Sequence, residues 1–316
     1  MDHLRWPPVL GEPVVLLHLV KTAGTSVARG VAQALGREHV ILGFDQSCFG
    51  TFDGFDTFSP EIRALIRLDG DPLPRPDFAS GHLALSTIRR RLPKHRVFTI
   101  VREPRSRVLS LWLFWRALWD EQLPQFGSWA DILRKARRPL ADFLADPAVA
   151  CLADNLYARA LLWPHPLVPD GGPIPHEADA ILLAEAAARL DGLDFVAPVE
   201  APDLAARLGR WLGVPAHLGR ENTTIPVLPE WQADLDEHLT EEATSLVADR
   251  TRLDRVLWER VAARVGLHAA TTADDAFEAT RRRHEMLLAG LPPATGTARC
   301  PPARWPGRPW PPCPRP

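Results

Sequence analysis

The chain has 316 residues, of which 46% are hydrophobic and 24% charged, and its formal net charge is −2. This is the composition of a globular protein able to bury a substantial core. A near-neutral balance gives no electrostatic case for nucleic acid or a membrane surface as partner, and no run of about 18 apolar residues suggests a membrane span. The opening MDHLRWPPVLGEP lacks the apolar stretch of a secretory signal, so a cytoplasmic location is expected. Cys48, Cys151, Cys300 and Cys313 form no CxxC pair and no metal-ligand spacing with histidine, so reduced thiols and no metal site are expected.

Residues 1–12 read as a lead segment, 13–288 as one α/β domain and 289–316 as a tail. Val14–Leu19 is almost wholly apolar, the pattern of a strand buried on both faces. Gly24–Leu35 follows with helical spacing of Val27, Val31 and Ala34. Gly43–Gly70, rich in Phe, Asp and Gly, reads as a loop with short elements. Phe78–Ser80 reads as a short strand, Leu83–Leu92 as a helix and Val97–Val101 as a second buried strand. Pro104 then fits the first turn of a helix, and Val108, Leu111, Trp112, Trp115 and Trp119 make one apolar stripe assigned to the core. Helical segments are expected near 128–137, 139–145, 149–163 and 176–190. A short strand is expected at Phe195–Val196, and helices at Ala201–Leu212 and Thr240–Val265. Strands alternating with helices imply a parallel sheet flanked by helices. From Ala289 onward the chain is proline-rich and carries four arginines but no acid, a composition expected to stay disordered and at most to offer a polyproline ligand to a partner.

Two loops carry the chemistry. In the first, a strand runs into Lys21-Thr22-Ala23-Gly24-Thr25-Ser26 and then into a helix. Unpaired N–H groups and the helix dipole favour an anion there; the hydroxyls add donors and Lys21 a charge. It is not a Walker A loop, because the lysine precedes the glycine and the leading glycine is missing. In the second, Arg102 stands at a strand end, the ligand side of such sheets, and can grip a phosphate with two parallel hydrogen bonds. Ser110 lies two turns into the following helix. Most of the basic residues between Arg89 and Arg107 read as a solvated face. Two anion sites in one α/β domain suggest a ligand with two separated anionic ends.

VVLLHLVKTAGTSV resembles the 5′-phosphosulfate loop of sulfotransferases, in particular the Golgi carbohydrate group that includes heparan sulfate 2-O-sulfotransferase. VFTIVREPRSRVLSLW resembles that group's 3′-phosphate element, R-[DE]-P-x-x-R-x-x-S, through Arg102, Glu103, Pro104, Arg107 and Ser110. Weaker likenesses are Gly81-His82, Asp154-Asn155 with Arg159, Asp194-Phe195-Val196 leading to Glu200, Glu221-Asn222-Thr223 and Leu257-Trp258. The resemblance spans roughly residues 13 to 265. It implies a P-loop-like three-layer sandwich and the donor 3′-phosphoadenosine 5′-phosphosulfate (PAPS). Lys21, Thr22, Ala23, Gly24, Thr25 and Ser26 would hold the 5′ end, and Arg102 and Ser110 the 3′-phosphate. The acceptor would be a hydroxyl of a carbohydrate or small metabolite.

Sulfuryl transfer needs in-line placement of the acceptor, stabilisation of charge on the leaving phosphate, and a base; it does not strictly need a metal. Lys21 suits the second task. His82 is the candidate base, since histidine is poised near neutral pH and the resemblance places a catalytic histidine in this segment. His18 reads as a satisfied core residue, and Glu103 as a helix-start acid placed by the dipole. Asn155, Tyr157 and Arg159 either line the acceptor side or cap and pack helices. Arg220 and Asn222 either help hold the nucleotide or form a turn. Trp119, Trp129 and Trp163 could stack on a sugar or fill the core. An ATP-dependent kinase and a non-catalytic nucleotide-binding scaffold remain rival classes.

Overall fold

The computed structural model describes residues 11–219 and 235–289, together with the dipeptides 304–305 and 308–309. The six strands β1 (Val14–Leu17), β2 (Val40–Asp45), β3 (Ile66–Arg67), β4 (Phe78–His82), β5 (Arg96–Val101) and β6 (Phe195–Pro198) form one sheet in the order β3-β2-β4-β1-β5-β6. Every pairing is parallel. The longer helices are α1 (Gly24–Leu35), α2 (Leu85–Arg91), α3 (Pro104–Arg116), α4 (Leu156–Leu162), α5 (Asp179–Asp191), α6 (Leu204–Leu212), α7 (Glu241–Arg250), α8 (Arg252–Arg264) and α9 (Ala269–Ala289). The fold is therefore α/β with a parallel sheet.

Alternate strand residues feed two separate apolar clusters, as the twofold period of a strand requires. Val14, Leu16, Phe98 and Ile100 pack with Val27 and Val31 of α1 and Trp211 of α6. Val15, Leu17, Val97 and Val101 pack on the other side with Trp112, Tyr157 and Trp258, from α3, α4 and α8. Helices thus cover both faces, and each buried large side chain contributes roughly 1.5–3 kcal/mol. Trp119 and Trp129 are buried in the core, which removes them as sugar-stacking surface.

The sheet's order decides where a ligand can sit. The chain builds β2, β3 and β4 on one side of β1, then crosses β1 to place β5 and β6 on the other. The carboxyl ends of β4, β1 and β5 lie side by side at this reversal, where parallel α/β sheets leave a crevice.

Three local features depart from the sequence expectations. β2 lies across Gly43, where the register shifts between Ile41 and Gly43; that glycine has φ 87° and a Cβ there would overlap the Leu65 carbonyl. The helix expected over 149–163 breaks at Asn155, which takes φ 44° and donates its N–H to the Arg250 carbonyl at 2.6 Å. The helix expected over 240–265 divides at Thr251 into α7 and α8. The 21-residue α9 has no strong apolar periodicity to announce it. The expectation for the tail lies outside the described residues, except that Arg304–Trp305 pairs with Arg308–Pro309 in antiparallel fashion. No described helix is long and apolar enough to cross a membrane.

Candidate functional site

The first loop leaves β1 through a tight turn in which the Leu19 N–H donates to the Leu17 carbonyl at 3.2 Å. Lys21 and Ala23 then adopt φ of 68° and 63°, with Thr22 between them outside the left-handed region. Two non-glycine residues in this region are a local strain that the surrounding fold must hold. The N–H groups of Ala23 and Gly24 donate to nothing else among the described residues. The Thr22 hydroxyl is turned inward, donating to the Leu19 carbonyl at 2.9 Å, so it braces the loop. Ala23 caps α1 without a side-chain bond and is exposed. Thr25 and Ser26 lie in the first turn of α1.

Gly24 has a reason the sequence did not show. A Cβ there would overlap the imidazole of His18, so the ring and the loop backbone occupy adjoining space. This corrects the reading of His18 as a satisfied core residue. It lies just past β1, is half-buried, and its ring nitrogens make no hydrogen bond among the described residues, only its backbone doing so. Burial, and then the neighbouring His82, hold its pKa well below the usual histidine value.

Arg102 follows β5 directly. Its Nη1 donates to the Lys21 carbonyl at 3.4 Å and its Nη2 to the Thr280 hydroxyl of α9 at 2.7 Å, and it makes no ion pair among the described residues. The Lys21 ammonium lies 4.1 Å from the centroid of the Phe114 ring on α3. Burial brings the Lys21 pKa down to about 7, and the Arg102 charge pushes the same way. Ser106, Ser110 and Phe114 recur every four residues and so share one stripe of α3. The Ser106 hydroxyl is taken by Glu103 at 2.6 Å, whereas that of Ser110 has no partner among the described residues. The structure thus brings Lys21, Arg102 and Ser110 to one end of the sheet.

Glu103 acts as the N-cap of α3, accepting from the N–H groups of Arg105 and Ser106 at 3.2 and 2.7 Å. Arg107, read as part of a solvated face, is fully buried and donates to the carbonyls of Leu152 and Ala153 at 2.9 and 3.3 Å. It secures the segment before α4.

His82 ends β4, on the other side of β1. Its Nδ1 lies 2.5 Å from the His18 carbonyl oxygen. A carbonyl only accepts, so Nδ1 must carry the hydrogen, and the neutral ring keeps its lone pair on Nε2. The ring is held between Phe44 and His18, at centroid distances of 4.8 and 4.2 Å. Burial lowers its pKa to about 4, only partly offset by the bond to the carbonyl. A cavity of about 20 Å³, room for roughly one water, adjoins His18, His82, Cys48 and Cys151.

Several supporting residues escaped sequence reasoning or were given other roles. The Tyr157 hydroxyl donates to the Arg102 carbonyl at 2.5 Å and accepts from the Arg102 N–H at 3.0 Å. Asp254 accepts from the Tyr157 N–H at 2.9 Å, and burial raises its pKa to about 7. Glu200 accepts from the Glu103 N–H at 2.7 Å and from the Trp258 indole at 3.2 Å. Asn155 accepts from the Leu253 N–H at 2.8 Å, and Arg159 pairs with Asp154 at 2.9 Å, so both pack and cap. The weak likenesses at Glu200 and Trp258 were the available signal; for Asp254 there was none. Arg220 and Asn222 lie outside the described residues.

No protein-family model matches the chain, and no curated protein matches it either.

Proposed function

We propose that this chain is a sulfotransferase that moves the sulfuryl group of PAPS to a hydroxyl of a carbohydrate or small metabolite. In this reading the fold is a P-loop-like three-layer sandwich, for which the helices on both sheet faces speak. The observation that carries the proposal is the meeting of two anion-holding elements. The Lys21 loop and Arg102 leave adjacent strands and touch, as one ligand with two anionic ends requires.

The 5′-phosphosulfate lies against the Ala23 and Gly24 N–H groups and Lys21, and the 3′-phosphate against Arg102 and Ser110. The acceptor oxygen attacks sulfur in line with the bond to the 5′-phosphate. An O–S bond forms to the acceptor, the bridging S–O bond breaks, and its electron pair goes to the phosphate oxygen. Lys21 and the loop amides stabilise that oxygen. His82 Nε2 takes the acceptor proton, the tautomer set by the His18 carbonyl being the one a base needs.

Calorimetry with 3′,5′-bisphosphoadenosine and with ATP tests the reading. Micromolar or tighter binding of the first, weak binding of ATP, and a loss of roughly 10- to 100-fold on Arg102→Ala are expected, since charge-assisted bonds are worth about 1.5–3 kcal/mol. Equal affinity for ATP and indifference to Arg102→Ala would reject it and favour the kinase or scaffold classes.

A further inference from the structure

The guanidinium of Arg102 reaches past its own loop to α9, a helix that the two-loop reading leaves without a role. Thr280 of α9 is buried, and its hydroxyl oxygen takes the Arg102 Nη2–H at 2.7 Å while donating to the Ala276 carbonyl at 3.0 Å. Arg283 follows three residues later, within one turn and on the same side of the helix. It is exposed and makes no ion pair among the described residues. Its neighbour Arg281 is spent on Glu278 and Asp236, at 3.0 and 2.5 Å.

The rest of the α9 contact is built to hold this end of the helix against α3. Arg105 joins Asp274 at 2.9 Å and lies 5.3 Å from the centroid of the Phe277 ring. Arg102 and Arg283 are close enough for the second to lower the pKa of the first, after the larger effect of burial and against the opposing Glu200. Glu200 opposes Arg283 as the larger charge effect on Arg102, but it makes no ion pair with the guanidinium; its two oxygens accept from the Glu103 N–H and the Trp258 indole. The result is three cations without carboxylate partners, Lys21, Arg102 and Arg283, beside two hydroxyls, Ser110 and Thr280. Like charges gathered beside hydroxyl donors, with no carboxylate in an ion pair with them among the described residues, mark a place for an anion.

We propose that Thr280 and Arg283 of α9 are ligands of the 3′-phosphate, completing from the C-terminal side the site that Arg102 and Ser110 begin. This rests on the sulfotransferase reading for the identity of the nucleotide, and on the α9 geometry alone for the presence of a phosphomonoester site. The Thr280 oxygen stands where a phosphate oxygen would meet Arg102. When the dianion enters, Arg102 turns its fork to it, the Thr280 hydroxyl rotates to donate, and Arg283 closes from the outer side. The anion then ties α9 to the end of β5.

The test compares full-length wild type, Arg283→Ala and Thr280→Val by calorimetry with three probes: 3′,5′-bisphosphoadenosine, adenosine 5′-monophosphate and inorganic phosphate. Arg283 is solvent-exposed and Thr280→Val keeps the side-chain shape, so both variants are expected to fold. Arg283→Ala should weaken the bisphosphate about ten- to a hundredfold and Thr280→Val about three- to tenfold, with the monophosphate within twofold for both. Unchanged bisphosphate affinity would overturn the proposal. Tighter binding would also overturn it, showing α9 to be an obstruction. If the wild type binds no bisphosphate, the sulfotransferase reading fails, and the inorganic phosphate arm decides this one. Phosphate binding that weakens in Arg283→Ala keeps the site; binding that does not rejects it.

Discussion

Tyr157 holds both backbone polar groups of Arg102, donating to its carbonyl at 2.5 Å and accepting from its N–H at 3.0 Å. The tyrosine is in turn fixed by Asp254, which accepts from its N–H at 2.9 Å. The arginine at the end of β5 is therefore aimed by a chain of bonds from α8 through α4. Replacing Tyr157 with Phe leaves two partly buried backbone groups unpaired, at a cost of about 1–3 kcal/mol. Denaturant unfolding should show that loss. A purely structural role would stop there; a positioning role also weakens 3′,5′-bisphosphoadenosine several-fold while leaving adenosine 5′-monophosphate unaffected.

Lys21 is an ammonium held in an unfavourable place, its pKa brought from the usual 10.5 to about 7 by burial and by Arg102. Between those two values the unfolded chain holds a proton that the folded chain lacks, so stability rises with pH across that window. Below about pH 7 both states are charged and the burial cost is present in full. Lys21→Met should raise the melting temperature most near pH 6, and the gain should shrink toward pH 10. The same variant should lose nucleotide binding. In the wild type at pH 8, an arriving phosphate should restore the charge, and calorimetry in Hepes and Tris should show a proton taken up on binding.

His82 titrates from the other side. Its pKa falls from 6.5 to about 4, so between those values the unfolded chain binds a proton that the folded chain refuses. This contribution to stability rises with pH through the window and is lost on acidification; His18 acts with the same sign. His82→Gln should soften acid unfolding between about pH 6.5 and 4. It should also lower turnover by about 10²- to 10⁴-fold with bisphosphate affinity within twofold. Full transfer rate in this variant would remove His82 as the base and leave the nucleotide site standing.

Gly24→Ala places a methyl group into the His18 ring. The overpacking should cost about 1–3 kcal/mol and displace the loop amides, weakening the nucleotide. His18→Ala combined with Gly24→Ala opens the space again. A double-mutant cycle in melting temperature should therefore show strong coupling, and additivity would mean that the loop relaxes elsewhere.

The sequence by itself determined the frame and its two loops. Apolar runs at Val14–Leu19 and Val97–Val101 read as buried strands and the structure forms β1 and β5 there, while the spacing from Gly24 to Leu35 matches α1 at both ends. Pro104 and Glu103 marked the start of α3, because both act within a single turn. These signals are local, carried by neighbouring residues. Tertiary structure alone decided what lies 55 or more residues away in the chain: that Tyr157 grips Arg102, that Glu200 takes the Glu103 N–H, and that Thr280 meets the guanidinium. It also decided which residues of one type differ, since Arg107 is enclosed while Arg90 is exposed. Composition treats those two alike. Only packing assigns each its partners, because burial removes water and makes a hydrogen bond within the fold the main way to offset the cost of enclosing a polar group.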